Sequence, residues 1–456
     1  MSNPSATATS IPSPETGDEL LPEKNAHQYR SPPNNDVDTE KEQQQTDDSL
    51  NNQDDADCDK PPDGGLQAWL VTIGTAMIFF CGIGYSNSFG IFQEYYMVHQ
   101  LPDKSADDIA WIGSLSAFLQ FATGAVGGPL FDRYGAWIIR PAAILFVFAM
   151  MMTSLCSQYW HFMLAQGTLM GISLGLLTVP SMAAVSQHFD RNRSAALGLA
   201  IAGSSIGGVL FPIVFAKLLN ESSLGFGWTV RIIGFVTIPL FGFACLAVRS
   251  RLPPRRTQFF IWHAFKEPRL MILVVAFFLM LMGLFTPLFF IPAYAVTRGM
   301  KTTLASYLLA IINAASLFGR VIPGVLADRF GPINVFGLAG IVTGVVLLCL
   351  NTADSTAGLV VYSVVFGFTS GTIISGGSAA FTRCPRDPKD IGTYIGMGMG
   401  VGSIAILIGP PINGVLIDRY GGFLQVSVFS GVMCLVGGFV AFGAKAVTPQ
   451  GILGRV

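Results

Sequence analysis

The sequence predicts an all-α membrane protein, with twelve transmembrane helices in two six-helix pseudo-repeats. Three observations predict it. Of 456 residues, 51% are hydrophobic and only 12% charged, where soluble domains carry about 25% charged residues. Beyond residue 60 the chain divides into twelve apolar runs, each near the roughly 20 helical residues that cross a bilayer. Finally, the stretch GGPLFDRYG (127–135) returns as PGVLADRFG (323–331), six runs later. Apolar runs in lipid must be helical, because backbone groups find no water partner there.

Residues 1–60 hold 14 acidic and 4 basic side chains amid Ser, Pro, Asn and Gln. Such a stretch buries too little apolar surface to offset its ordering entropy, and it has no signal-peptide core. It is read as a disordered acidic cytoplasmic tail. The runs follow at about 67–92, 109–131, 138–157, 161–187, 194–219, 228–248, 269–296, 303–327, 333–351, 357–381, 392–416 and 423–444. With the N-terminus inside, the cytoplasmic loops collect about 17 Lys and Arg and the outer loops about five. Residues 61–248 form the first bundle and 269–447 the second. A basic cytoplasmic linker, 249–268, joins them, and 448–456 is a short cytoplasmic tail. TQFFIWHAF in the linker reads as an interfacial helix.

A second repeat pairs GSSIGGVLFP (203–212) on span 5 with GSIAILIGPP (402–411) on span 11. Glycines allow close helix approach and prolines bend the helix. Bends repeated in both halves suit a protein that rocks between two openings.

Arg320 lies eight residues from Asp328, about 12 Å inside span 8. An ionised side chain facing lipid there costs at least a few kcal/mol. Asn313, Ser316 and Arg320 share one helical face, so that face is expected to line a water-accessible chamber. A guanidinium matches a carboxylate as a two-pronged fork, which makes Arg320 a candidate anion receptor. Tyr85 and Asn87 in span 1, and Phe289 and Tyr294 in span 7, are further candidate substrate contacts. Pro287 and Pro292 are expected to break span 7. Asp132–Arg133 and Asp328–Arg329 are candidate gating pairs, in which the arginine can pair with the aspartate.

The seven cysteines are scattered, with no CxxC or Cys/His cluster. No metal site, cofactor, nucleophile–base pair or phosphate loop is expected, which argues against an enzyme and against ATP drive. Nor is a nucleic acid an expected partner.

The DRxG loops after spans 2 and 8 resemble the loop signature of the major facilitator superfamily. PDGGLQAW (62–69) and FDRNRSAALGLAIAGSSIGG (189–208) resemble two motifs of its monocarboxylate porter family, and YSNSFGIFQEYY (85–96) resembles the fungal branch. The resemblance implies the major facilitator fold and a carrier of organic acids, with Arg320 at the family's anion-binding arginine. Animal lactate carriers have a lysine on span 1 and an aspartate one turn before that arginine. Here those places hold Tyr85–Ser86–Asn87 and Ser316.

The leading expectation is a secondary transporter that moves a small organic acid or acidic metabolite by alternating access. Transport is either uncoupled or carries its proton on the substrate. The alternative is a carrier or exporter of a neutral, flavin-like or secondary metabolite. A lesser alternative is a nutrient receptor that does not transport. The expected location is the plasma membrane, as a multi-pass protein with both termini cytoplasmic.

Overall fold

The structure is a computed structural model that describes residues 61–220, 222–253 and 261–446. Helix α1 (Leu66–Ser86) continues, after a break at Asn87–Ser88, into a short helix, Phe89–Tyr95, and a π-helical turn, Tyr96–Gln100. Then come α2 (Ala106–Tyr134), α3 (Ile139–Thr153), α4 (Tyr159–His188), α5 (Arg193–Asn220) and α6 (Gly225–Ala247). The second half holds α7 (Pro268–Thr297), α8 (Thr302–Phe330), α9 (Pro332–Leu348), α10 (Thr356–Phe381), α11 (Ile391–Tyr420) and α12 (Leu424–Ala446).

By length and hydropathy, 11 runs among the described residues can cross a membrane, because Asp108–Thr153 counts as one run of 46 residues. A straight helix of that length would reach roughly 69 Å, more than twice the ~30 Å apolar layer. The chain turns at Gly135 (φ 67°), and Gly331 (φ 94°) turns it between α8 and α9. Left-handed backbone of this kind favours glycine. The Gly135 turn divides the long run into two crossings, giving twelve.

The halves repeat each other in packing as well as in sequence. Within the first, α1 packs on α5 and α6, α2 on α4, and α3 on α6. Within the second, α7 packs on α11 and α12, α8 on α10, and α9 on α12. The strongest contacts between halves are α2 with α11 and α5 with α8.

Three local expectations are corrected. Helix α7 is continuous through Pro287 and Pro292, as α11 is through Pro410 and Pro411. A packed neighbour can satisfy the carbonyl that each proline releases, so a proline need not end the helix. Span 1 runs to Gln100, eight residues beyond its expected end, with its outer part in separate pieces. Of the expected interfacial helix only the C-terminal part lies within the described residues. There Trp262–Lys266 forms a single 3-10 turn with Trp262 exposed and Ala264 buried. The tails 1–60 and 447–456 lie outside the described residues.

Candidate functional site

Arg320 is found in the seam where α5 meets α8. Helix α5 presents Ser194, Gly198, Ile201, Ser205 and Gly208 at spacings of three and four, hence on one face, with Ser204 beside Ser205 at its edge. The antiparallel α8 answers with Asp328, Gly324, Arg320, Ser316 and Asn313. A Cβ on Gly198 would stand 2.3 Å from the Arg320 carbonyl oxygen. Only glycine permits that approach, and it brings the polar side chains into register.

Together these side chains build a hydrogen-bonded ladder. Arg320 Nη1 donates to Ser204 Oγ at 2.6 Å, to Ser205 Oγ, and to the Ile201 carbonyl at 3.4 Å. Ser205 and Ser316 hydroxyls meet at 2.8 Å. Asn87 Nδ2 on α1 donates to Asn313 Oδ1 at 3.3 Å. The expected polar face of α8 is therefore real, but in this conformation it faces α5 instead of an open chamber. Arg320 is 9% exposed, and its Nε is buried without a partner. Its acceptors are all neutral: two hydroxyls and a carbonyl. The physical reason is the close approach at Gly198, which brings the serines of α5 within reach of the guanidinium.

The two DRxG aspartates sit at one end of the molecule, and each reaches across to the other half. Asp132 accepts from the Gly392 amide (3.0 Å), the Thr393 amide (2.6 Å) and Thr393 Oγ1 (2.6 Å) at the start of α11. Asp328 accepts from the amides of Ser194 and Ala195, both at 2.9 Å, at the start of α5. A helix N-terminus carries unpaired amides and partial positive charge, so a carboxylate belongs there. The expected partnership is corrected accordingly: these carboxylates cap helices of the opposite half. Arg133 and Arg329 are exposed, and Arg133 lies over the Tyr134 ring at 5.9 Å.

The remaining candidates are dispersed. Tyr85 is fully buried among Phe92, Phe146 and Phe215, with its hydroxyl unpartnered. Tyr294 is buried at the far end of α7, where its hydroxyl accepts from Arg298 Nε at 3.2 Å and its ring meets Phe423. Phe289 is exposed beside Phe285. Only Asn87, Asn313, Ser316 and Arg320 come together. Asn413 escaped the sequence reading. It donates to Thr286 Oγ1 at 2.7 Å, and Thr286 meets Ser430 at 2.6 Å, tying α7, α11 and α12 together. A lone asparagine in an apolar run was the available signal.

Comparison with known proteins places this geometry in a family. The family model described as Major Facilitator Superfamily matches residues 74–333 and 314–454. The chain is 50% identical over 390 residues to "Aspyridones efflux protein apdF" of Emericella nidulans, covering 86% of this chain and 80% of that one. It is 39% identical over 403 residues to "Agnestins efflux protein AgnL12" of Paecilomyces divaricatus, covering 86% and 91%. Both relatives are named as efflux proteins, not as monocarboxylate porters. The solved human organic anion transporter MFSD10 superposes with a TM-score of 0.65 at 15% identity, covering 84% of this chain and all of that one. That likeness speaks to the fold alone. The chain belongs to the major facilitator superfamily and is a multi-pass secondary transporter of that type.

Proposed function

We propose that the protein exports a secondary metabolite with an apolar body and an anionic or strongly hydrogen-bond-accepting edge. The efflux names of its relatives support export over the uptake of a small organic acid. The single observation that carries the substrate chemistry is the Arg320 guanidinium, buried between the halves and held by neutral acceptors only.

The positive-inside count puts the Asp132/Asp328 end in the cytosol. The described conformation is then closed to the cytosol. When that end opens, α5 and α8 part and the guanidinium loses Ser204 and Ser205. A carboxylate or enolate oxygen from the cytosol takes their place, as the stronger, charge-assisted acceptor. Reclosing the seam returns the serines to the same nitrogen and displaces the metabolite. Substrate and closed seam compete for one guanidinium, which couples binding to alternation. A cytosol-negative potential drives a monoanion outward by about 2.3 kcal/mol per 100 mV.

The test is uptake of labelled acidic and neutral fungal metabolites into inside-out vesicles. Accumulation of acidic compounds, lost in Arg320→Gln, is the expected result. Accumulation of neutral compounds that Arg320→Gln leaves unchanged supports the reading in which Arg320 touches only a polar edge or none. No accumulation of any compound overturns export.

A further inference from the structure

We infer that Asp63, in the loop leading into α1, is a positioning residue for a third clasp between the halves, the Asp190–Arg383 pair. The loop after α4 (residues 189–192) belongs to the first half, and Thr382–Arg383 after α10 to the second. Arg383 grips Asp190 twice: Nη1 donates to Asp190 Oδ1 at 2.8 Å and Nη2 to the Asp190 carbonyl at 2.7 Å. Arg193 braces the same carboxylate at 3.2 Å and donates across the halves to the Thr382 carbonyl at 3.0 Å.

A two-point grip on side chain and main chain works only if the peptide around Asp190 holds one orientation. Asp63 fixes it. Its Oδ1 accepts from the amides of Asp190 and Arg191, each at 2.7 Å. The backbone at Asp63 has φ 50°, and no other non-glycine among the described residues has a positive φ. Aspartate and asparagine tolerate that region better than most residues. The side chains of Asp190 and Arg383 are 53% and 31% exposed. An ion pair so open to solvent is weak by itself. Its strength as a clasp comes from being held in register, which is the work assigned to Asp63. This gives the PDGG stretch a place in the transport cycle: it sets how firmly the cytosolic end closes.

The inference rests on alternating access but not on the metabolite, and its readout is conformational. Full-length protein in lipid nanodiscs carries spin labels at Tyr134→Cys and Arg386→Cys, exposed positions on opposite halves, with Cys58, Cys245 and Cys349 replaced by serine. Asp63→Gly keeps the positive φ and removes the acceptor; Asp63→Asn keeps both φ and an acceptor oxygen. Asp63→Gly should raise the ratio of long to short label distances roughly fivefold, the scale of a modest coupling between sites. Asp63→Asn should stay near the parent. Arg383→Gln should match Asp63→Gly, and the double variant should equal Arg383→Gln alone. If Asp63→Gly is not recovered folded, Asp63→Ser, whose side chain falls short of the two amides, replaces it. An unchanged distance distribution, or effects of Asp63 and Arg383 that multiply, overturns the inference.

Discussion

Asp132 and Thr393 come from opposite halves of the transporter, and they meet twice at 2.6 Å, through the amide and through the hydroxyl of the threonine. Asp328 reproduces the arrangement on the pseudo-equivalent helix, with the amides of Ser194 and Ala195. The DRxG repeat is thus a pair of reciprocal helix caps, each half closing the N-terminus of a helix in the other. Asp132→Asn keeps the shape but sets an amide group against N–H donors and removes the charge that the helix end favours. The expected result is a maximal efflux rate lowered roughly fivefold, since a helix-end charge contributes up to about 2 kcal/mol in partly buried settings. Half-saturation should not rise, because Asp132 lies in the α2–α11 contact and makes no bond to the Arg320 ladder between α5 and α8. Initial rates in inside-out vesicles check this, and a wild-type maximal rate sinks it.

Arg320 makes a second, opposite prediction. A buried cation with neutral partners and an orphaned Nε carries an unrecovered desolvation cost. Its serine partners keep other bonds when it goes: Ser204 donates to the Ile201 carbonyl, and Ser205 meets Ser316. Arg320→Met should therefore leave the closed state as stable or more stable, with a melting temperature raised by roughly 1–2 °C for about 1 kcal/mol. Transport of acidic metabolites should be lost in the same variant. A fall in melting temperature would mean that the guanidinium is a structural strut and not a functional cation.

The two contacts between the halves, α5 with α8 and α2 with α11, tolerate no added bulk. At Gly198 a Cβ would meet the Arg320 carbonyl at 2.3 Å, and at Gly128 the Gly392 carbonyl at 2.0 Å. Both obstacles are backbone, so neither can swing aside. Gly198→Val should force α5 from α8, at an overpacking cost of about 1–3 kcal/mol. That moves the closed-to-open ratio roughly tenfold toward open at the cytosolic end, at 1.4 kcal/mol per tenfold. Spin-label distances across that end read the shift directly, and an unchanged distribution refutes the close-packed seam.

Much of this was legible in the sequence. Hydropathy and the DRxG repeat carried the twelve helices and the two halves, because lipid restricts what an apolar run can do. The spacing of Asn313, Ser316 and Arg320 carried their shared face. The sequence did not carry what that face meets, since Ser204 and Ser205 are 115 or more residues away and only the packing of α5 on α8 brings them near. The aspartates stand out in the sequence as candidate gating residues, yet apart from the Thr393 hydroxyl the partners named here are backbone amides, which leave no signature in side-chain identity. Tyr85 and Tyr294 were expected at a cavity because mid-span hydroxyls are costly in lipid. Burial inside one bundle, among Phe92, Phe146 and Phe215 or against Arg298 and Phe423, keeps them from lipid equally well.

Asn413 tests how far buried polar groups hold the second half together. Removing its amide by Asn413→Ala takes away one of the bonds that tie Thr286 and Ser430 across three helices. Polar bonds between membrane helices contribute about 0.6–1.7 kcal/mol each. The melting temperature should fall by roughly 1–2 °C. Efflux direction and the effect of Arg320→Gln should remain as in the parent. An unchanged melting curve would show that this group of three side chains is not a structural tie.

The cysteines give a test of orientation that needs no substrate. Cys349 is exposed at the end of α9 opposite the DRxG turns. Cys156, in the loop between α3 and α4 at the same end, is buried, and burial pushes its thiol up to about 11. Cys384, at the DRxG end, is buried and pushed up to about 12. The nucleophile is the thiolate, so at pH 8 only about one Cys156 thiol in a thousand is reactive, and fewer at Cys384. With both termini cytoplasmic, a membrane-impermeant maleimide should label Cys349 in intact cells at pH 7.5, in a variant with Cys58 and Cys245 replaced by serine. Labelling of Cys384 should require permeabilised membranes, and its rate should rise about tenfold per pH unit as the thiolate fraction grows. Cys349 labelled only after permeabilisation would invert the topology, and with it the outward direction of transport, because the closed end carrying Asp132 and Asp328 would then face outside.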